Sequence, residues 1–254
     1  MSTRKRRSSR QNKSKNRFLK LRDKATADIG IPNGLNYFLM FICVVGFISA
    51  FRFGTASLDF YSVQNSIDIW NKQKNVQSEE DFLKAKSSIL TAKFIHFSHP
   101  LYADITGQVL EWGVVAGYLK PESLNDAKSA YLKATKLRPS WPVTWASLAM
   151  IKWRLQQFDD EMLQYLNNAN TLGPVKPEVH RLYVELGLSL YNANHPFFIS
   201  IRDSVKERLV LGLRNKESRP YIIDFIQRTK SKKTACRWIA DKDTFVKKQV
   251  LSCE

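Results

Sequence analysis

Apolar residues run almost unbroken from Leu35 to Phe51, and beyond Arg52 they recur instead at steps of three and four. The first pattern belongs to a helix that is hydrophobic on every side, the second to amphipathic helices with one buried stripe. No long stretch alternates with period two and glycine is sparse, so the expected fold class is all-α. Breaks fall at Lys74 to Ser78, Ser98 to Pro100, Leu119 to Pro121, Pro139 to Pro142, Gln157 to Asp159, Gly173 to Pro177, Ala193 to Pro196 and Asn215 to Pro220. They predict helices in pairs: 57–74 with 79–96, 100–118 with 122–137, 142–156 with 160–172, 177–192 with 196–214, then a shorter C-terminal pair. Start signals agree. Ser78-Glu79-Glu80-Asp81 reads as a capping box, and Pro121-Glu122 and Asp159-Asp160-Glu161 put anions at helix N-termini.

From Ile29 to Phe51 there are 23 consecutive residues without a charge. At 1.5 Å per residue that run reaches roughly 34 Å, enough for a hydrocarbon core of about 30 Å. Pro32-Asn33-Gly34 offers a break before it, Tyr37 sits where an interfacial aromatic would anchor one end, and Arg52 closes the other. The rivals are a buried soluble helix and a cleaved signal peptide, for which Gly54-Thr55-Ala56 supplies small residues. The run is longer than a signal peptide's apolar core and Arg52 intervenes before that site, so an uncleaved transmembrane helix over 29–52 is the better reading.

The predicted pairs repeat at about the spacing that signals helical-repeat architectures. Ala127, Tyr131, Ala134 and Pro139 fall at the offsets of a second TPR helix; Trp145, Leu148 and Ala149 match the following first helix. Leu166, Ala169 and Pro174 come next, and Tyr183, Leu186 and Gly187 restart the pattern. Ala85, Ala92, Ala103, Thr106 and Gly107 form a degenerate unit upstream. In such arrays small residues let paired helices approach, and the large aromatic fills the space between pairs. The expectation is a TPR-like array of antiparallel pairs over 53–214 and a basic C-terminal helical pair over 215–254.

Charge then orients the chain. Of the net +17, residues 1–28 carry +9 and residues 200–254 carry +7, leaving 52–199 close to neutral. The first 28 residues lack apolar periodicity until Phe18 and read as a basic, disordered arm. Such an arm could neutralise nucleic-acid phosphates. The bland reading is preferred: basic residues beside a span set topology and meet anionic headgroups, and no aromatic interleaves them before Phe18, so no nucleic-acid partner is expected. The positive-inside rule keeps the arm cytoplasmic and the rest of the chain outside.

Cys43 lies within the span. Cys236 and Cys253, 17 residues apart, are both outside, and in an oxidising compartment they can close one disulfide; the alternative is two free thiols. His96, His99, His180 and His195 show no metal-ligand spacing, and no metal or cofactor is expected. His99-Pro100 and His195-Pro196 read as turns before helices. There is no nucleophile elbow, phosphate-binding loop or dinucleotide fingerprint. Asp159, Asp160 and Glu161 could be imagined as a glycosidase acid and base, yet a helix N-terminus explains them. No catalytic residue is indicated.

The order of features resembles the VpsP family of bacterial polysaccharide biosynthesis proteins. The resembling residues are the basic head and single span, Asp59-Phe60-Tyr61 with Asn65 and Trp70, His99-Pro100 with Tyr102 leading to Gly107 and Glu111-Trp112, and Leu137-Arg138-Pro139 with Trp141-Pro142 and Trp145. The resemblance covers most of the chain from the span to about Asn194. It implies an accessory role in making or exporting an extracellular polysaccharide, with the repeat domain in the periplasm and the anchor in the bacterial inner membrane. It carries over no catalytic residues.

Three functions compete. The first is a non-enzymatic adaptor that holds a partner protein of polysaccharide assembly or export in the concave groove of the array, which is built from the first helix of each pair. That face would include Val143, Ala146, Met150, Trp153 and Arg154, then Arg181, Val184, Leu188 and Tyr191, although each could equally be core. The second is direct binding of an anionic glycan or lipid phosphate through Arg228, Lys230, Lys232 and Lys233, against which stands the ordinary solvated charged face. The third is a polysaccharide-acting enzyme.

Overall fold

A computed structural model describes residues 33–239 and 243–253. The basic arm over 1–28, the first residues of the expected span and Ala240 to Lys242 lie outside the described residues. Within them the secondary structure is helical, with no strand. The chain divides into two units, Met1–Gly54 and Thr55–Glu254.

The described part of the first unit is the beginning of α1 (Asn33–Gln73). Here Tyr37, Phe41, Phe47 and Phe51 are each more than 60 % exposed. A helix with apolar side chains on all faces and none of them covered is a candidate membrane span. The sequence placed a boundary after Arg52, but α1 continues without interruption to Gln73. Gly54 does not stop it, since one glycine in a helix interior costs only about 1 kcal/mol.

The second unit begins with residues 55–73 of α1 and continues through α2 (Glu79–Ile95), α3 (Pro100–Val115), a 3-10 turn at Pro121–Ser123, α4 (Leu124–Leu137), α5 (Pro142–Arg154), α6 (Asp160–Leu172), α7 (Pro177–Asn192), α8 (Phe198–Arg214), α9 (Arg219–Arg228) and α10 (Lys232–Ile239). From α2 to α6 and again from α7 to α10 each helix packs on the next, α3 on α4, α5 on α6 and α7 on α8 most closely, and the two runs meet where α7 packs on α5 and α8 on α6. Short turns between packed neighbours make each pair antiparallel. The helix edges follow the local chemistry. The Ser78 hydroxyl accepts from Asp81 N–H at 3.1 Å, the Asp159 carboxylate accepts from Met162 N–H at 3.0 Å, and prolines open α3, α5 and α7. Pro121-Glu122 opens the 3-10 turn, not α4 itself.

Two apolar clusters fill the unit. One joins Val63, Ile67 and Trp70 to Phe82, Ile89 and Val109; the other runs from Leu124 to Leu251 and includes Trp238 and Val246. The small residues read from the sequence are the points of closest approach. A Cβ on Gly107 would lie 2.7 Å from the Tyr131 ring, and one on Gly187 would lie 2.3 Å from Val205. The aromatics bridge pairs: Tyr183 Oη donates to the Leu166 carbonyl at 2.9 Å, and Trp145 Nε1 to the Pro139 carbonyl at 2.7 Å. The C-terminal section is part of the same core, and Cys236 and Cys253 form a disulfide with Cα atoms 5.8 Å apart.

Candidate functional site

The first helices of the pairs, α1, α3, α5, α7 and α9, together line one groove of about 1280 Å³. From α1 come Asp68, Asn71 and Lys72; from α3, Gln108, Glu111, Trp112 and Val115; from α7, Glu178, Arg181, Leu182 and Glu185; from α9, Tyr221. The central wall is α5, with Val143, Ala146, Ser147, Met150, Trp153 and Arg154. Only Lys74, Tyr131 and Gln156 reach it from elsewhere. Repeated packing of pairs produces this division. The second helices are spent on burying the first, so the free faces of the first helices fall on one side.

All five α5 residues expected on the inner face therefore lie in the groove, and so does Arg181. Val184, Leu188 and Tyr191 do not. Val184 and Leu188 are buried in the core, and the Tyr191 ring packs 5.3 Å from Phe198 and 5.1 Å from Trp238. The exposed side of α7 runs instead through Glu178, Arg181, Leu182 and Glu185. It is turned by about 100°, one residue's rotation, from the face expected. The C-terminal pair contributes to the difference, because α9 packs on α7 and Trp238 of α10 covers Tyr191.

The polar floor of the groove comes mainly from α3. Asp104, Gln108 and Glu111 recur at four and three residues on a helix that is otherwise apolar. Glu111 Oε1 accepts from Tyr131 Oη, and its Oε2 pairs with Arg154 Nη1 at 2.9 Å, so one carboxylate ties α3 to α4 and α5. Asp104, 5 % exposed, accepts from Thr144 Oγ1 and from Gln108 Nε2 at 2.9 Å. Burial pushes both carboxyls above their ordinary range. For Glu111 the Arg154 charge opposes that rise and the neighbouring Asp104 adds to it. Farther along, Glu185 accepts from Tyr221 Oη at 2.7 Å, and Arg181 lies over the Tyr221 ring at 5.4 Å while donating to the Glu217 carbonyl at 2.6 Å. Sequence reasoning missed Gln108 as a groove residue and Asp104 as the buried carboxylate that holds it. Their signal was available as a polar stripe at helical spacing.

Arg228 is exposed and paired with Asp224 at 2.8 Å; Lys230 occupies a left-handed turn with φ 54°; Lys232 and Lys233 are exposed in the first turn of α10. Asp159 and Glu161 are tied to Lys152, whose ammonium lies 2.6 and 2.8 Å from them, while Lys128 and Tyr165 also reach Glu161. This clamp holds the Glu161 carboxyl down to about 2, chiefly through the bonds from Lys128 and Lys152. Its members are saturated by one another. No group of metal-ligating side chains gathers among the described residues.

No family model matches this chain, and no curated protein matches it.

Proposed function

We propose that this protein is a non-enzymatic, membrane-anchored adaptor whose groove holds an extended segment of a partner protein. The observation that carries the reading is the shared lining of one groove by five successive first helices, with Trp112, Trp153, Tyr221 and Met150 set among paired and unpaired charges. Aromatic and Arg side chains in a concave, partly desolvated surface supply most of the affinity in protein interfaces. The array is TPR-like in this sense: small residues seat each pair, and the first helices do the binding.

The apolar beginning of α1 serves as a single-pass anchor, and the basic head ahead of it keeps the N-terminus cytoplasmic. The Cys236–Cys253 disulfide suits an oxidising compartment and supports a periplasmic location for the helical unit at a bacterial inner membrane. The resemblance to VpsP proteins in Asp59 to Trp70, His99 to Trp112 and Leu137 to Trp145 supports a partner engaged in polysaccharide assembly or export.

Photocrosslinking in cells from positions 153 and 181 tests this. The expected product is a crosslink to one membrane or periplasmic protein, from both positions, that survives high salt. Absence of a protein partner from either position, or turnover of a surface polysaccharide by the purified chain, overturns the adaptor reading. Salt-sensitive binding of an anionic glycan that is lost on changing Lys232 and Lys233 to Glu would move the function to the C-terminal basic residues.

A further inference from the structure

Of the exposed apolar side chains of the helical unit, Leu83, Val115 and Ile199 lie toward the opposite edge, and six others line the edge formed by turns from each second helix to the next first helix. They are Leu58, Phe94, Phe97, Leu137, Leu172 and Val175, with Phe94, Phe97 and Val175 at 82 %, 69 % and 72 % exposure. Contacts run along this edge from end to end. Ser57 Oγ lies 3.5 Å from Tyr102 Oη, the Tyr102 ring stacks on His99 at 4.4 Å, and Asn215 Nδ2 donates to the Val175 carbonyl. Thr55 is the first residue of the unit, so the chain enters it at this edge.

Cations alternate with the rings here. Lys133 stands 5.9 Å from the centre of the Phe97 ring, and Trp141 lies between the Arg138 guanidinium at 4.2 Å and the Lys176 ammonium at 4.8 Å. The opposite edge is mixed in sign, with Glu79, Glu80 and Asp81 opening α2 and Asp160 and Glu161 opening α6 beside Lys72 in the last turn of α1 and Lys152 and Arg154 in the last turn of α5. Helix dipoles favour acids at the first turn and bases at the last, which accounts for the signs of the charges. They do not account for large apolar side chains left in solvent beside the bases. Aromatic and aliphatic groups interleaved with Lys and Arg are what the headgroup layer of a bilayer selects.

We propose that this edge rests on an anionic lipid surface, with Phe97, Trp141 and Val175 in the interfacial layer and Lys133, Arg138 and Lys176 against lipid phosphates. The proposal rests on the reading of α1 as a membrane anchor. That anchor delivers Leu58, seven residues after Phe51, to within about 10 Å of chain from the end of the apolar run.

The test uses the full chain in vesicles of phosphatidylethanolamine and phosphatidylglycerol, with photoactive p-benzoylphenylalanine at one position at a time. Position 41 reports the anchor, positions 97 and 175 the edge, and position 157 the opposite edge. Lipid crosslinks are expected from 41, 97 and 175 and not from 157. Replacing Lys133 and Lys176 with Glu should lower the crosslinks at 97 and 175 by about fivefold per cation lost, leaving that at 41 unchanged. Lipid at 41 without lipid at 97 and 175, or crosslinks from 97 and 175 to a second copy of the chain, overturns the proposal while the anchor stands. No lipid at 41 removes the anchor and, unless 97 and 175 still crosslink lipid, the proposal with it.

Discussion

Arg208 of α8 donates to both oxygens of Asn170 in α6, from Nε to Oδ1 and from Nη2 to the main-chain carbonyl, each at 2.6 Å. Its Nη1 reaches the Gly173 and Pro174 carbonyls at 2.9 Å. The side chain is 3 % exposed, and none of these acceptors is a carboxylate. A buried cation is thus balanced by amide oxygens in the last turn of α6 and just beyond it, where the helix dipole is negative. The guanidinium thereby pins the turn leading into α7, together with the weaker bond from Asn215 to Val175.

Arg208→Met keeps the length of the side chain but leaves four acceptors, the Gly173 carbonyl buried and the other three partly buried, without their donor. We expect a loss of about 3 kcal/mol, because each unsatisfied buried group costs on the order of 1–3 kcal/mol and local shifts recover part of it. Urea unfolding of the full chain in detergent should show the midpoint falling at constant m. An unchanged midpoint would mean that the carbonyls are satisfied by water without Arg208.

His180 shares the Arg208 pocket, 2 % exposed, with Nδ1 3.4 Å from Arg208 Nη1. Burial and then the Arg208 charge push its pKa down to about 4. The folded protein therefore holds the ring neutral through a range in which the unfolded chain protonates it. Stability is full above about pH 6.5 and declines as the pH falls toward 4, by at most about 3 kcal/mol. His180→Gln should flatten that decline in urea midpoints taken across the window. A second decline below about pH 4.5 should persist in the variant, since protonating Glu161, held at about 2, dissolves its bonds to Lys128 and Lys152. Equal slopes in the two proteins between pH 5 and 6.5 would remove His180 from the account.

Gly187 makes the closest approach between α7 and α8. Alanine favours a helix interior over glycine by about 1 kcal/mol. At this position its Cβ would meet three atoms of Val205 at 2.3 to 3.0 Å, and the branched Val205 side chain has little freedom to withdraw. Gly187→Ala is expected to destabilise by about 2 kcal/mol. Adding Val205→Ala opens the space, so the double variant should be more stable than the sum of the two single losses predicts, as a double-mutant cycle measures. Strict additivity would place the close approach elsewhere.

The helix pairs were legible because their punctuation is local: Ser78 and Asp159 cap, prolines open α3, α5 and α7, and Gly107 and Gly187 mark the seats between helices. The central wall of the groove was legible for the same reason. The inner face of α5 follows from its own periodicity, which gave Met150, Trp153 and Arg154. The phase of α7 was not, because which side of Tyr191 stays open depends on Trp238, 47 residues away. Asp104 and Gln108 were overlooked inside a helix judged by its small residues. Tyr221 and Asp68 meet in the groove only through the packing of helices far apart in the chain, which no local pattern records.

Cys236 and Cys253 close a 17-residue separation that starts midway along α10, and both bridged residues pack against the main core. Cross-linking a loop of this size restricts the unfolded chain by about 3 kcal/mol in the chain-entropy model. The segment beyond α10 is short, and its apolar contribution to the core is limited to Val246, Val250 and Leu251. Without the bridge it should open before the rest of the molecule. Cys236→Ser is expected to speed hydrogen exchange in Lys232–Ile239 and Val246–Val250 while leaving α5 and α6 protected. Tyr191 should become accessible as Trp238 withdraws. Reductant should reproduce the effect in the wild-type chain and add nothing to the variant. Exchange that rises equally in all helices would show instead that the C-terminal segment and the core unfold as one cooperative unit.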